Sequence, residues 1–408
     1  MATIDKWKGL RNNIAARAMA EGEMDVAQNV DIDDAQRLRS RQGYTETVAN
    51  AAHSIWSNGT MCLFVQSGVL KRLTTAEGVV TVATLTNNNR MAYDSVAGTV
   101  YCTNGTDCLR ITPDAVTNWG VRMPIGQPMA TQSAGNLPPG RYQYAITYAR
   151  ADGHESGTPL PGVIELTTTG GIAFSSIESS TYDSGCGIIL YLSSPNGEVL
   201  YRAAVLPDGT TSYDYREDAT DLTVPLSTMF AYAAPTGQIV RIYNSVAYVA
   251  SGNVLYYSDP YHLELFRLAH SFMQFDGYIT MVAAVDDGLY IGTETNTYFA
   301  QGDRPDKMKL TAVFPYGVMA GTDVLLAKSS LAKEDADEAG SDDGVVAMWL
   351  SSRGVCVGAE GGAAKNLSEA VFAIPTGERG AAVVRQVRGY TQYLASLQGT
   401  GVTGNSYS

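Results

Sequence analysis

The chain has 408 residues, of which 45% are apolar and 17% are charged, and it carries 24 Tyr, 41 Gly and a net charge of −13. This composition favours strands and turns over helices. The net charge of −13 argues against a surface that grips nucleic acid through clustered lysines and arginines. The length suits one large all-β domain with an insertion, or two to three ordinary domains.

Residues 1–43 are predicted to form an N-terminal arm. The arm carries an Ala-rich stretch with helical character around residues 14–20 and then the polar run "NVDIDDAQRLRSRQGY". Because it offers little to bury on its own, we expect it to pack along a neighbouring subunit or across the strands of its own chain. The candidate residues for a subunit interface are Trp7, Leu10, Arg39 and Arg41.

Short β-hairpins follow in residues 44–129. "CLFVQSGVLKRL" turns at Gly68 and "TVYCTNGTDCLRI" turns at Gly105, each with an alternating apolar run on both sides of the turn. A hairpin of this size cannot bury a core alone. Several of them must therefore pack together.

Residues 130–235 differ from their surroundings and predict an inserted β-sandwich of the immunoglobulin or fibronectin type. Tyr142, Tyr144, Ile146 and Tyr148 alternate strictly, and further short strands follow at about 8 to 12 residue spacing. Such a module is typical of a surface interaction element. The alternative is that it only buttresses its host.

Hairpins resume in residues 236–408, near Gly252, Gly292, Gly354 and Gly389. Three intervals between neighbouring turns are 37, 40 and 35 residues, from Gly68, Gly252 and Gly354 to the turn that follows each. The interval of 147 from Gly105 to Gly252 becomes 41 without the 106-residue module, and the interval of 62 from Gly292 to Gly354 contains an acidic stretch. A period near 40 is about the length of a four-stranded propeller blade. We therefore predict an all-β fold, a β-propeller of about five to six blades with an inserted sandwich. An irregular pair of β-sandwiches is the competing interpretation.

An acidic, apolar-poor stretch, "KEDADEAGSDDG", interrupts the second series of hairpins. It lacks the Asp-x-Asp-x-Asp-Gly register and the distal Glu of a calcium loop, so a solvated loop is favoured. The candidate residues for an acidic loop near a channel are Glu334, Asp335, Asp337, Glu338, Asp342 and Asp343.

The sequence carries no pattern that predicts catalysis, a cofactor or a metal site. The four histidines and five cysteines lack metal-ligand spacing, and the cysteines are expected to be free thiols in a reducing cytoplasm. The pair Asp286 and Asp287 precedes Gly288, which is ordinary turn chemistry. Neither a secretory signal nor an uninterrupted apolar run of membrane-spanning length is present, so we expect no membrane span.

Two stretches of the chain resemble the tail hub or nozzle proteins of short-tailed bacteriophages. The first carries Asn29, Asp31, Arg41, Gly43 and Tyr44, and the second is "GNVLYYSDP" followed by an aromatic residue and "LELF", which ends the longer run "GQIVRIYNSVAYVASGNVLYYSDPYHLELF". The resemblance implies a structural virion protein, assembled in the bacterial cytoplasm and located in the virion tail. It implies a ring of six or more copies that continues the DNA channel below the portal and adaptor proteins, helps retain packaged DNA and anchors tail fibres or spikes. Double-stranded DNA would pass through the lumen without specific binding, which an acidic protein favours.

Two other function classes remain open on the sequence. One is a carbohydrate-binding or hydrolysing propeller of the cell surface, in which tyrosines such as Tyr256, Tyr257 and Tyr261 stack on sugars. The other is a scaffolding propeller of the host cytoplasm. A glycan-binding assay tests the first, and the neighbouring genes test the second.

Overall fold

The computed structural model describes residues 6–27, 30–33, 35–41, 43, 45–76, 78–219, 222–331, 344–371, 374, 377, 379–387 and 390–398. Within these ranges the chain is all-β, with 34 strands in ten small sheets. The helical segments there are single 3₁₀ turns, at Ala16–Ala18, Pro305–Lys307, Lys328–Ser330 and Glu360–Gly362. No helix in the described ranges is long and apolar enough to cross a membrane.

The N-terminal arm contains two pairs of very short strands. Strands β1 (Gly9–Leu10) and β2 (Glu23–Met24) pair in parallel, whereas β3 (Val30–Ile32) and β4 (Leu38–Ser40) form an antiparallel hairpin. The helical stretch expected over residues 14–20 is reduced to the 3₁₀ turn Ala16–Ala18. An isolated helix of this length is unstable in water, and the arm gives it no apolar face to pack against.

Sheets 1 and 2 follow the arm, and each is an antiparallel meander in chain order. The strands of sheet 1 are β5 (His53–Ser57), β6 (Cys62–Gln66), β7 (Val69–Leu73) and β8 (Val79–Thr84). The strands of sheet 2 are β9 (Ala92–Val96), β10 (Thr99–Thr103), β11 (Cys108–Ile111) and β12 (Val116–Asn118). The hairpins predicted at Gly68 and Gly105 are β6–β7 and β10–β11.

Two sheets then interrupt the meanders, and we call them together the interposed unit. The three-stranded sheet has the order β13-β16-β19 and the four-stranded sheet the order β15-β14-β17-β18. Their strands are β13 (Met129–Leu137), β14 (Gly140–Ala149), β15 (Gly162–Leu166), β16 (Gly170–Ser175), β17 (Gly187–Ser193), β18 (Leu200–Leu206) and β19 (Ser212–Tyr215). The alternating Tyr142, Tyr144, Ile146 and Tyr148 are all buried in one core between these sheets.

Sheets 3, 4 and 5 continue the meander pattern after the interposed unit. Sheet 3 consists of β20 (Ile239–Tyr243), β21 (Val246–Ser251), β22 (Val254–Asp259), β23 (His262–Phe266) and β24 (Phe272–Gln274), with β23 and β24 both pairing with β22. Sheet 4 consists of β25 (Ile279–Val285), β26 (Gly288–Thr293), β27 (Thr297–Gln301) and β28 (Lys309–Phe314). Sheet 5 consists of β29 (Val324–Ala327), β30 (Val345–Ser351), β31 (Gly354–Gly358) and β32 (Ala364–Asn366).

The last element is the C-terminal hairpin, formed by β33 (Arg379–Val387) and β34 (Tyr390–Gln398). Val384 and Tyr393 of this hairpin pack on the core of sheet 5, and the Tyr393 hydroxyl donates to Thr322 O at 2.6 Å. The hairpin also contacts the start of sheet 2, because Arg90 Nη2 donates to Gly380 O at 2.9 Å. At this point a side chain on Gly321 (φ +78°) would meet Gly380 O at 2.6 Å, so the close approach requires glycine.

The first strands of sheets 2 to 5 lie next to one another, since β20 contacts β9 and β25, and β29 contacts β25 and the C-terminal β33. The faces of adjacent sheets bury separate apolar cores: sheets 1 and 2 share one, sheets 2 and 3 a second, sheets 3 and 4 a third, and sheets 4 and 5 a fourth. Each small sheet is therefore stabilised by its neighbours rather than by itself.

Candidate functional site

The first strands are joined by one guanidinium group. Arg241 on β20 donates from Nε to Val282 O on β25 at 2.8 Å and from Nη2 to Asp323 Oδ2 at 3.0 Å, directly before β29. Its Nη1 lies 3.9 Å from Asp94 Oδ2 on β9, and Asp94 Oδ2 accepts the Ile242 amide at 2.6 Å. Arg241 therefore links sheets 2, 3, 4 and 5. We call Arg241, Asp94, Asp323 and Val282 the first-strand network.

The first-strand network lies mostly out of solvent, with 18% of the Arg241 side chain and 17% of the Asp323 side chain exposed. Burial raises the pKa of the Asp323 carboxyl above its ordinary value, and the charge of Arg241 opposes that shift. An arginine with three fixed partners in a semi-buried position holds neighbouring sheets at a set distance. The role of Arg241 is therefore structural.

A second polar site lies where the N-terminal arm meets the C-terminal hairpin. Asp31 on β3 is 14% exposed, and its Oδ2 accepts Arg385 Nη2 from β33 at 3.1 Å. The other oxygen of Asp31 accepts both Nε and Nη2 of Arg41 at 3.1 Å. Further along, Asn13 Nδ2 donates to Ala370 O at 2.7 Å. These five residues are the arm junction.

Of the four arm residues predicted for a subunit interface, the structure places one in the arm junction. Arg41 belongs to it directly, whereas Arg39 donates from Nε to Asp33 Oδ2 at 2.9 Å within the arm. The Arg37 amide, with the guanidinium of Arg39, holds the pKa of Asp33 below its ordinary value. Trp7 and Leu10 are half-buried. Their role at a subunit interface stays a prediction.

The six residues predicted for an acidic channel loop, Glu334 to Asp343, all lie outside the described residues. The flanks of that segment are close together, because the Lys328 amide donates to Gly344 O at 2.8 Å. The other acidic pair, Asp286 and Asp287, binds backbone of sheet 5: Asp286 Oδ2 accepts the Val345 amide at 2.9 Å and Asp287 accepts the Gly361 amide at 3.0 Å.

The interposed unit is fastened to sheets 2 and 3 by polar bonds. Arg150 Nη1 donates to Asn118 O at 3.1 Å, and Asn118 Nδ2 donates to Asp183 Oδ1 at 3.0 Å. On the other side, Arg267 Nη1 donates to Met229 O at 2.8 Å. These bonds tie both ends of the unit to the meanders that flank it.

The tyrosines considered for sugar stacking do not share a surface. Tyr256 packs on the core between sheets 2 and 3 and Tyr257 on the core between sheets 3 and 4, because neighbouring residues of a strand point to opposite faces. Tyr261 is 83% exposed. A flat sugar-binding platform needs rings that face the same way, and this arrangement does not supply one.

Cysteines, possible metal ligands and surface depressions were the other candidates for a site within the part of the chain that the structure describes. The five cysteines are unpaired, and burial raises the pKa of the Cys356 thiol to about 11 and that of Cys108 to about 12. No group of three or more His, Cys, Asp or Glu there could hold a metal ion. A surface depression beside Arg122 and Tyr182 has an empty volume of about 260 Å³ including open solvent, below the usual range of ligand pockets.

Sequence reasoning did not identify Arg241, Asp94, Asp323 or Arg385 as junction residues. Arg241 lies within "GQIVRIYN", one of the stretches that carries the resemblance, and Asp31 and Arg41 lie in the other. A charged residue in the middle of an otherwise apolar strand, as in "IVRIY", was the available signal.

Comparison with known proteins leaves the family open. No protein-family model matches the chain, and no curated protein matches it. Solved structures similar to it include a crystal structure of BBS1N in complex with ARL6DN (10% identity, 88% of this chain and 97% of that chain, TM-score 0.30). Others are Sqt1 of Saccharomyces cerevisiae (9%, 78% and 83%, 0.23) and the extracellular domain of the putative one component system BT4673 from B. thetaiotaomicron (9%, 82% and 56%, 0.22). TM-scores this low support no inference about function.

Proposed function

We propose that the chain is a structural protein of a short-tailed bacteriophage tail, a hub or nozzle subunit that assembles into a ring around the DNA channel. The proposal rests on the positions, in the structure, of the residues that carry the resemblance to tail hub or nozzle proteins. Asp31 and Arg41 bind each other at the arm junction, and Arg241 joins four sheets. The residues that carry the resemblance thus serve to hold parts of the protein together, as a conduit protein requires.

The proposal includes a propeller architecture. Sheets 1 to 5 would be five blades and the C-terminal hairpin part of a sixth, because first strands lie side by side and adjacent sheets share cores. The interposed unit would be the inserted sandwich, and the domain division remains 1–43, 44–129, 130–235 and 236–408. Two packed sheets around one core support that assignment.

In this proposal the ring lies below the portal and adaptor proteins and anchors fibres or spikes. The net charge of −13 supports the passage of DNA without adhesion, because neutralising phosphates requires clustered cations. The protein would work without a cofactor and without catalysis. Its location would be the virion tail.

Imaging of the purified protein tests this function. Negative-stain electron microscopy and native mass spectrometry should show closed rings of six or more copies with a central hole wide enough for duplex DNA. A protein that remains monomeric at micromolar concentration, alone and with adaptor protein, would overturn the proposal.

A further inference from the structure

The arm takes no part in the main cores of the protein. None of its described residues belongs to the apolar clusters of the sheets or of the interposed unit. Its apolar side chains are half-buried or exposed, among them Trp7, Leu10 and Val26, which is 66% exposed. The arm instead keeps its own bonds, such as the Trp7 amide to Gln36 O at 2.7 Å. It therefore resembles a small unit docked on the body.

The arm over residues 1–43 carries seven basic and seven acidic residues, so its charge complementarity to the body is local, in the segment that bears Asp31. The sequence over residues 21–34 contains six acidic residues and no basic residue, Glu21, Glu23, Asp25, Asp31, Asp33 and Asp34. The sequence over residues 379–398 contains three arginines and no acidic residue, Arg379, Arg385 and Arg388. The pair Asp31–Arg385 at 3.1 Å joins these two stretches. Opposite charge on facing surfaces fixes the choice of partner and its register.

The connection between arm and body is long enough to redirect the arm. Strand β4 ends at Ser40 and β5 begins at His53, and the described residues between them form no strand or helix and are mostly exposed. A segment of that length spans up to about 40 Å when extended. The arm can therefore reach a hairpin on a neighbouring copy through the same contacts, as in domain swapping.

We propose that the partner of the arm in the assembled protein is a second copy of this chain. The Asp31-bearing segment of one arm docks on the C-terminal hairpin of the next copy, and Asp31 of one copy pairs with Arg385 of the other. This inference rests on the proposed ring and names the contact that links its subunits.

Charge reversal distinguishes arm exchange between copies from docking within one copy. Asp31→Arg and Arg385→Asp, each prepared alone, should weaken ring assembly roughly tenfold per interface, because like charges then face each other. When the two variants are co-expressed with different tags, every contact in an alternating ring pairs opposite charges. Mixed rings should therefore form at wild-type yield. If the arm docks within one copy, like charges face each other at positions 31 and 385 in every molecule of both variants. Co-expression then does not restore ring assembly.

Asp33→Arg is the matched control. It makes the same charge change in the same arm, but Asp33 bonds to Arg37 and Arg39 within the arm. In mixed rings of Asp33→Arg and Arg385→Asp, every second contact still places Asp31 against an aspartate at position 385, so the yield of mixed rings should stay below that of the Asp31→Arg and Arg385→Asp pair. Recovery in this pair equal to that of the Asp31 pair would overturn the specific contact.

A covalent readout covers the case in which a charge variant fails to fold. Asp31→Cys and Arg385→Cys are co-expressed on differently tagged chains and treated with a short bismaleimide, with wild type treated in parallel. A linked dimer that carries both tags supports exchange. The inference falls and the proposed function stands under three conditions together. The wild-type protein forms rings, the co-expressed Asp31→Cys and Arg385→Cys chains yield no dimer with both tags, and a single chain that carries both substitutions is linked only within itself. A wild-type protein that never assembles overturns both.

Discussion

Arg241 on sheet 3 bonds to three neighbouring sheets, since its guanidinium reaches Val282, Asp94 and Asp323. Replacing it by alanine leaves two semi-buried carboxylates without their cation. We expect Arg241→Ala to lower the free energy of unfolding by about 3 kcal/mol, the low end for a broken buried pair because water still reaches the site. Urea denaturation measures this loss.

The exposed pair Arg304–Asp306 supplies the control for Arg241. Arg304→Ala should cost less than about 1 kcal/mol, since exposed ion pairs contribute little. Equal losses in the two variants would show that Arg241 does not link the sheets in solution.

Asp323 gives a pH signature of the first-strand network. Its folded-state pKa lies above the ordinary 3.8 because of burial, so the folded protein holds this proton more tightly than the unfolded chain. Its contribution to stability is therefore largest below pH 3.8 and is lost as the pH rises through the folded-state pKa. Asp323→Asn lacks this dependence. The stability of Asp323→Asn relative to wild type should increase between about pH 3 and pH 7 in urea denaturation, and a flat or falling difference would contradict the burial.

These residue-scale features were hard to predict because their partners are distant in sequence. Asp94 and Ile242 are 148 positions apart, and Arg241 and Asp323 are 82 apart. An alternating pattern shows which face of a strand is apolar, but it does not show which other strand will pack against that face. The apolar neighbours of Arg241 in the sequence indicate that its charge needs a partner, but they do not identify which residue that partner is.

At the scale of elements, local patterns were predictable where the turn chemistry is local. Gly252 adopts φ +63° between β21 and β22, as the opening of a tight hairpin turn requires. Gly292 was expected near a turn, yet it lies within β26, and residues 294–296 form the loop. There the glycine serves packing, because a side chain would collide with Val318. Composition alone does not separate these two uses of glycine.

The interposed unit is expected to fold independently, because its two sheets enclose a core of their own. A fragment covering residues 120–235 should unfold cooperatively in urea. Within it, Leu190→Ala should cost about 2–5 kcal/mol, since Leu190 is fully buried. Val205→Ala, at a residue 66% exposed, should change stability by about 0.5 kcal/mol or less. If the fragment shows no cooperative transition, the interposed unit depends for its stability on its contacts with sheets 2 and 3.

At the scale of the whole molecule, the arm and the C-terminal hairpin should contribute unequally to the stability of one copy. Deleting residues 1–43 should lower the Tm by about 2–4 °C at most when measured at low protein concentration, because only a few polar contacts are lost. Tyr393→Ala should lower it more, since Tyr393 packs on sheet 5 and donates to Thr322 O. The opposite ranking would mean that the arm belongs to the core of a single copy.

The bond from Arg90 to Gly380 O joins residues 290 positions apart. On a ribosome that adds roughly 5–20 residues per second, it can form only about 15–60 s after Arg90 has been synthesised. The junction between the start of sheet 2 and the C-terminal hairpin stays open through that interval, although the cores shared by sheets 1, 2 and 3 can already form. Closure of this junction is therefore among the last steps in the maturation of each molecule, and a nascent chain that stalls before the final hairpin leaves the core of sheet 5 without Val384 and Tyr393.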